Sequence, residues 1–271
     1  MPHASAATMP VTSLTGIGPQ TAAKLQRLGI VNVQDLLFHL PQRYQDRTRV
    51  LPIAQLSPGM QVLVCGQVEY LDSLQRGRSS VICRIGDDTG WLSLRFFHFS
   101  AQQAQLLKPG TRLSCFGEIR HGYAGLEMVH PEYKILGDNT SPTEASLTPV
   151  YPLTEGLSQF TLRKAIHQAL EHYQAHDDCL QDWLPEELCA AYAYPSLQQA
   201  LQCLHKPPAT LAMANLQDAA LPALQRLAFE EFLAHHLALL EGKQHYRHWR
   251  APRFAVDEQA QRHFIERLPF A

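Results

Sequence analysis

The chain has 271 residues, a formal net charge of −2, 45% hydrophobic and 18% charged residues, an ordinary globular composition that excludes a disordered or collagen-like chain and leaves room for two small domains. No stretch approaches the ~20 consecutive apolar residues of a spanning helix, and Met1 to Ser13 has neither the basic start nor the apolar run of a secretion signal. No membrane partner and a cytoplasmic location are therefore expected. Charge is uneven: residues 1–135 carry +4 and residues 136–271 carry −6, which places any nucleic-acid surface in the first half and a scaffold or docking surface in the second.

The first 50 residues read as a helical lead-in. Gly16-Ile17-Gly18 forms a tight turn, Pro19 opens a helix that runs to about Leu28, and Gly29 ends it. A second helix, Asn32 to Leu40, carries Val33, Leu36, Leu37 and Leu40 at helical spacing before Pro41 stops it.

Within residues 51–137 the period changes to that of strands: MQVLVCGQVEY, SSVICRIGD, WLSLRFFHF, TRLSCFGEIR and LEMVHPEYKIL. Asp87-Asp88-Thr89-Gly90 is the turn of a hairpin, and Ala101 to Leu107 a short helix between the third and fourth strands. The order β-β-β-α-β-β predicts an OB-fold, a five-stranded barrel used for single-stranded nucleic acid or oligosaccharides. Gly66, inside the first strand, is expected at the bulge that lets the barrel curl. The whole is an α+β chain. Residues 138–146 read as a polar linker, and residues 147–271 as a mostly helical extension with helices over 158–173, 185–192, 196–204, 222–243 and 257–268.

Six scattered cysteines lack any C-x-x-C pair and are read as reduced thiols, and the fourteen histidines lack metal-ligand spacing, so no metal site is expected. Catalytic machinery is also missing. Gly242-Lys243 is followed by Gln244 and has Leu237 where a P-loop needs its first glycine. Asp257-Glu258-Gln259-Ala260 reads as an acidic helix N-terminus, and no G-x-S-x-G elbow is present. The strongest chemical signal is Arg95-Phe96-Phe97-His98-Phe99, where alternation puts Arg95, Phe97 and Phe99 on one strand face and Phe96 with His98 on the other. Aromatics exposed beside arginine suit base stacking and phosphate contact. Arg76 and Arg78 around Gly77, and Arg120 with His121, Gly122 and Tyr123, are further candidate backbone contacts. Gly16 and Gly18 are candidates for a phosphate-facing turn, although nothing before them reads as the first helix of a helix-hairpin-helix.

Taken in order, SLTGIGP, VQDLLFHLPQRYQDRT, LRFFHFS, HPEYKIL, LTPVYPLTEGLSQFTLRK and LHKPP resemble the N-terminal, wedge-containing part of the RecG family of ATP-dependent branched-DNA helicases. The resemblance implies an OB-fold wedge that sits at replication forks and Holliday junctions in DNA recombination and repair, inside a nucleoid-associated cytoplasmic enzyme. It implies Phe97 as the stacking residue, with Phe96 and Phe99 in support and Arg95, Arg76, Arg78 and Arg120 on the backbone. Some members have a tyrosine four residues after the stacking phenylalanine; Ala101 stands there in this sequence. ATP and Mg2+ are implied only for helicase domains that these 271 residues do not include, so the chain alone is expected to hydrolyse nothing and to partner its own motor. The alternative is a stand-alone OB-fold adaptor for single strands or for the tail of a single-strand-binding protein.

Overall fold

Backbone geometry at one glycine sets the first helical hairpin. Gly16 takes a left-handed φ of 91°, where a side chain would be strained, Ile17 turns inward and is buried, and Pro19 opens α1 (Pro19–Gln26) at its first position. Asn32 and Asp35 cap α2 (Val33–Phe38) reciprocally. A single 3-10 turn, Val11–Ser13, precedes the glycine turn. The structure, a computed structural model, describes residues 9–74, 80–97, 101–137, 140–175, 180–208, 210–211, 216, 218, 221–247 and 257–269.

After β1 (Arg43–Gln45) the chain enters the barrel: β2 (Gln61–Leu74), β3 (Ser80–Asp87), β4 (Gly90–Phe97), α3 (Ala101–Leu106), β5 (Arg112–Gly122), β6 (Gly125–Val129) and β7 (Glu132–Ile135). Neighbours run β2-β3-β4-β6-β5, and β2 closes back on β5. Only β4 with β6 is parallel among these pairs. That is the closed five-strand barrel of an OB-fold. Asp87 fixes its β3–β4 hairpin: the carboxylate accepts from the backbone N–H of Thr89 and Gly90 and from the Thr89 hydroxyl, and its other oxygen accepts from Ile53 N–H.

Two details depart from the sequence expectation. The last strand is broken at His130-Pro131, because Pro131 has no N–H for the ladder and His130 takes a φ of 49°; β6 closes the barrel against β4, while β7 lies along the other half of β5. The irregularity in β2 falls between Val68 and Tyr70, not at Gly66. Gly66 instead permits close approach: a Cβ there would lie 2.9 Å from the Gly86 carbonyl oxygen. The interior is filled by Val64, Val68, Ile85, Leu92, Leu94, Phe96, Leu113, Ile119 and Met128. Burial pushes the Cys83 thiol up to about 11 and the Cys115 thiol further, so both are inert packing groups; Cys179 lies outside the described residues.

The segments on either side of the barrel are one body. β8 (Thr148–Val150) pairs with β1, and Leu25, Val33, Leu36 and Leu37 share a core with Leu162, Ile166 and Ala169 of α4 (Gln159–Ala175) and with Leu197 and Leu201 of α6 (Leu197–His205); α5 (Glu186–Ala191) lies between these helices in sequence. The barrel is thus an insertion between a lead-in and a scaffold that the sequence alone separates. Arg47 joins the two parts: its side chain is 7% exposed, its guanidinium lies 4.2 Å from the Phe116 ring centroid, and it meets Glu132 at 2.8 Å. Arg163 of α4 reaches the same Glu132 at 3.5 Å. The expected linker is packed where it is described, since Ser114 Oγ donates to the Pro142 carbonyl at 3.2 Å and Glu144 N–H to the Arg47 carbonyl at 3.0 Å.

Contacts divide the chain at Leu227/Ala228. The first unit holds everything above and the start of the helix Pro222–Arg247; the second holds the rest of that helix and the helix Glu258–Glu266, whose cap Asp257 accepts from Gln259 and Ala260 N–H. Among the described residues, no helix is long and apolar enough to cross a membrane, and no group of His, Cys, Asp or Glu is placed to hold a metal ion.

Candidate nucleic-acid interface

Strand alternation sends Leu92, Leu94 and Phe96 inward and Trp91, Ser93, Arg95 and Phe97 outward. Register then carries this outer face across the barrel. Tyr70, Arg84, Ser93 and Glu127 stand in one row over β2, β3, β4 and β6, with Arg120 of β5 beyond Glu127. Asp72, Ile82, Arg95 and Val129 form the next row, and Phe97 stands beyond it, its backbone paired with that of Ser80.

Phe97 stands at the end of the described ladder, half-buried. His130 holds it from the side: the Phe97 N–H donates to His130 Nε2 at 3.3 Å, which requires the tautomer protonated on Nδ1, and the two rings are 5.2 Å apart. The strained backbone at His130 is fixed by its own N–H donating to the Arg95 carbonyl at 2.8 Å. Phe96 differs from the expectation. It is 4% exposed and packs edge-on against Tyr133 within the barrel, so it anchors the strand and offers no face to a ligand.

The basic residues of the face fall into two kinds. Arg95 donates from Nε and Nη2 to one oxygen of Glu127, at 3.1 and 2.9 Å, with both side chains largely buried. Arg120 meets Glu118 at 2.8 Å on the surface. Both charges are therefore compensated within the sheet, and Arg95 serves the face by holding β4 to β6. Arg84 instead lies over the Trp91 ring, 4.3 Å from the centroid. Tyr123, at the β5–β6 turn, is fully exposed. Arg76, Arg78, His98 and Phe99 lie outside the described residues.

Gly16 and Gly18 lie away from the barrel, on the helical body. Gln168 clasps the turn by accepting from Thr15 N–H at 2.8 Å and donating to the Thr15 carbonyl at 3.0 Å, and the Lys164 ammonium is 3.9 Å from where a Gly16 Cβ would be. Sequence reading missed Tyr70, Arg84, Trp91 and His130. Trp91 was within reach, because it shares the parity of Arg95 and Phe97 in WLSLRFF; the other three needed the strand register.

Known proteins resemble this chain in sequence and in fold. The family profile of the RecG wedge domain matches residues 10–172. The chain is 40% identical over 264 residues to an ATP-dependent DNA helicase RecG of Escherichia coli strain K12, covering 97% of this chain and 37% of the relative. It is 38% identical over 267 residues to the RecG of Pasteurella multocida, with the same coverage. The chain thus spans little more than a third of the length of these relatives. Among solved structures, RecG bound to a three-way DNA junction superposes with a TM-score of 0.67 at 23% identity, covering 97% of this chain and 35% of that one, which establishes a shared fold.

Proposed function

The chain belongs to the RecG wedge family, and from that premise we propose that it is the part of a RecG-type helicase that recognises branched DNA and separates strands at the branch point. The observation that carries the proposal is Phe97: an outward aromatic on β4, backed by His130 and rooted by the buried Phe96 next to it. A ring so held cannot retreat into the core, and it can stack on the last base pair of an arm at ~1–3 kcal/mol per stacked base. The rigid barrel behind it supplies the bulk that keeps two strands apart. Phe99, Arg76 and Arg78, which lie outside the described residues, are the proposed companions of Phe97, and the exposed Tyr123, on the turn beside Trp91 at the other end of β4, is a separate candidate contact.

ATP-driven movement of DNA, which the relatives' name carries, belongs in this proposal to the portion of a RecG chain that these 271 residues do not span, together with ATP and Mg2+. Gly16, with Lys164 beside it, and Gly18 are proposed to meet the phosphates of a duplex arm.

The test is fluorescence anisotropy of this chain with a three-way fork, a four-way junction, linear duplex and linear single strand of matched length, at two salt concentrations. Tighter binding to both branched DNAs at either salt is expected. Equal binding to linear single strand would favour a generic OB-fold binder instead.

A further inference from the structure

We propose that Arg84 and Trp91 form a second DNA site on the barrel, for one nucleobase and its phosphate on the single strand leaving the branch point. This rests on the reading above, in which Phe97 stands at the branch. Three observations converge. The first is charge: Arg95 and Arg120 are each compensated by a glutamate, whereas no carboxylate pairs with Arg84 among the described residues, and its N–H donors face no acceptor there. A guanidinium lying over a ring is held by its face, which leaves its in-plane N–H groups for a phosphate.

The second is the fixed ring. Trp91 is 38% exposed, and the β5–β6 turn lies against its edge at Gly125, whose φ is 132° and whose Cβ, if present, would come within 3.1 Å of Cη2. An indole so held is preorganised for stacking, and Tyr70, in the row of Arg84, is 55% exposed on the same face. The third is spacing. Trp91 and Phe97 share one face of one strand, six residues apart, about 20 Å at ~3.3 Å per residue. That is roughly six nucleotide steps at the ~3.4 Å rise of one strand in B-DNA, within the ~4–16 nucleotides an OB-fold covers. A strand parted at Phe97 therefore reaches Trp91 along β4.

The test uses the same chain and three-way forks that differ in one single-stranded arm, from none to about ten nucleotides. Affinity of the unaltered chain is expected to rise with arm length and level off beyond about six nucleotides. Trp91→Ala and Arg84→Gln should each remove that rise, lowering affinity for the long-armed fork about five- to hundredfold, and bind the armless fork as the unaltered chain does. Phe97→Ala should weaken every fork, armless included. If both variants keep the rise while Phe97→Ala still weakens all forks, the second site is wrong and the branch-point reading stands. If Phe97→Ala changes nothing, or the unaltered chain binds no DNA, both fall. Should Trp91→Ala lower the melting temperature, Arg84→Gln, which removes a half-buried guanidinium and no hydrogen bond, decides alone.

Discussion

Two adjacent phenylalanines do opposite work. Phe96 fills the barrel and Phe97 projects from it, so Phe96→Ala should destabilise the fold by about 3–5 kcal/mol, read as a lower denaturant midpoint. Phe97→Ala, from a half-buried site, should cost under about 1.5 kcal/mol and appear in DNA binding instead. Alternation in RFFHF separated the two faces from sequence, but which face is the inner one was decided by Leu92 and Leu94, whose parity Phe96 shares. His205 has a further consequence at this scale. Its Nε2 lies 2.8 Å from the Leu37 carbonyl and its Nδ1 2.9 Å from the Tyr151 hydroxyl, an arrangement for a neutral ring that donates from Nε2 and accepts at Nδ1. Burial pushes it down from 6.5 to about 4, against the bond to Leu37. The unfolded chain therefore binds one more proton than the folded one between those values, so stability falls as pH drops from about 6.5 to 4, by at most roughly 3 kcal/mol. Melts across that range should lose most of this dependence in His205→Gln.

At the scale of elements, the joint between barrel and helical body rests on Arg47. Its guanidinium faces Phe116, Glu132 and Gln45 from a buried position, so Arg47→Ala should cost about 2 kcal/mol from lost cation–π and charged hydrogen-bond energy, measured by chemical denaturation. Arg163 meets the same carboxylate. Burial raises the Glu132 carboxyl, but Arg47 and Arg163 outweigh it and hold the group below its usual range, so this joint adds stability at neutral pH and loses it as the carboxyl protonates in acid. None of this was legible in the sequence, because Arg47, Glu132 and Arg163 sit in three different segments. The elements themselves were: the strand periods, the Asp87 turn and the Pro19 and Ser196 helix starts each have a local cause. The broken last strand shows the limit, since Pro131 announces an interruption but only the barrel's closure makes two strands with different partners of it.

At the scale of the whole molecule, the barrel is an excursion from a helical body whose two halves are distant in sequence. β1 and β8 are too short to identify by period, and their pairing spans the entire barrel, which is why lead-in and scaffold look separate until they are folded. A chain beginning at Leu51 should accordingly keep the barrel's sheet signal in circular dichroism but lose helix well beyond α1 and α2, because Leu162, Ile166 and Leu201 lose the residues they pack against. The claim that Phe97 stacks at the branch is tested most directly with a fork that carries the fluorescent base 2-aminopurine in the pair next to the branch point. Binding of this chain should change the emission of that base and leave a base placed in the middle of an arm unaffected, and Phe97→Ala should abolish the change at DNA concentrations that saturate the variant. An unchanged response with Phe97→Ala, or an equal response from the middle of the arm, would contradict the account.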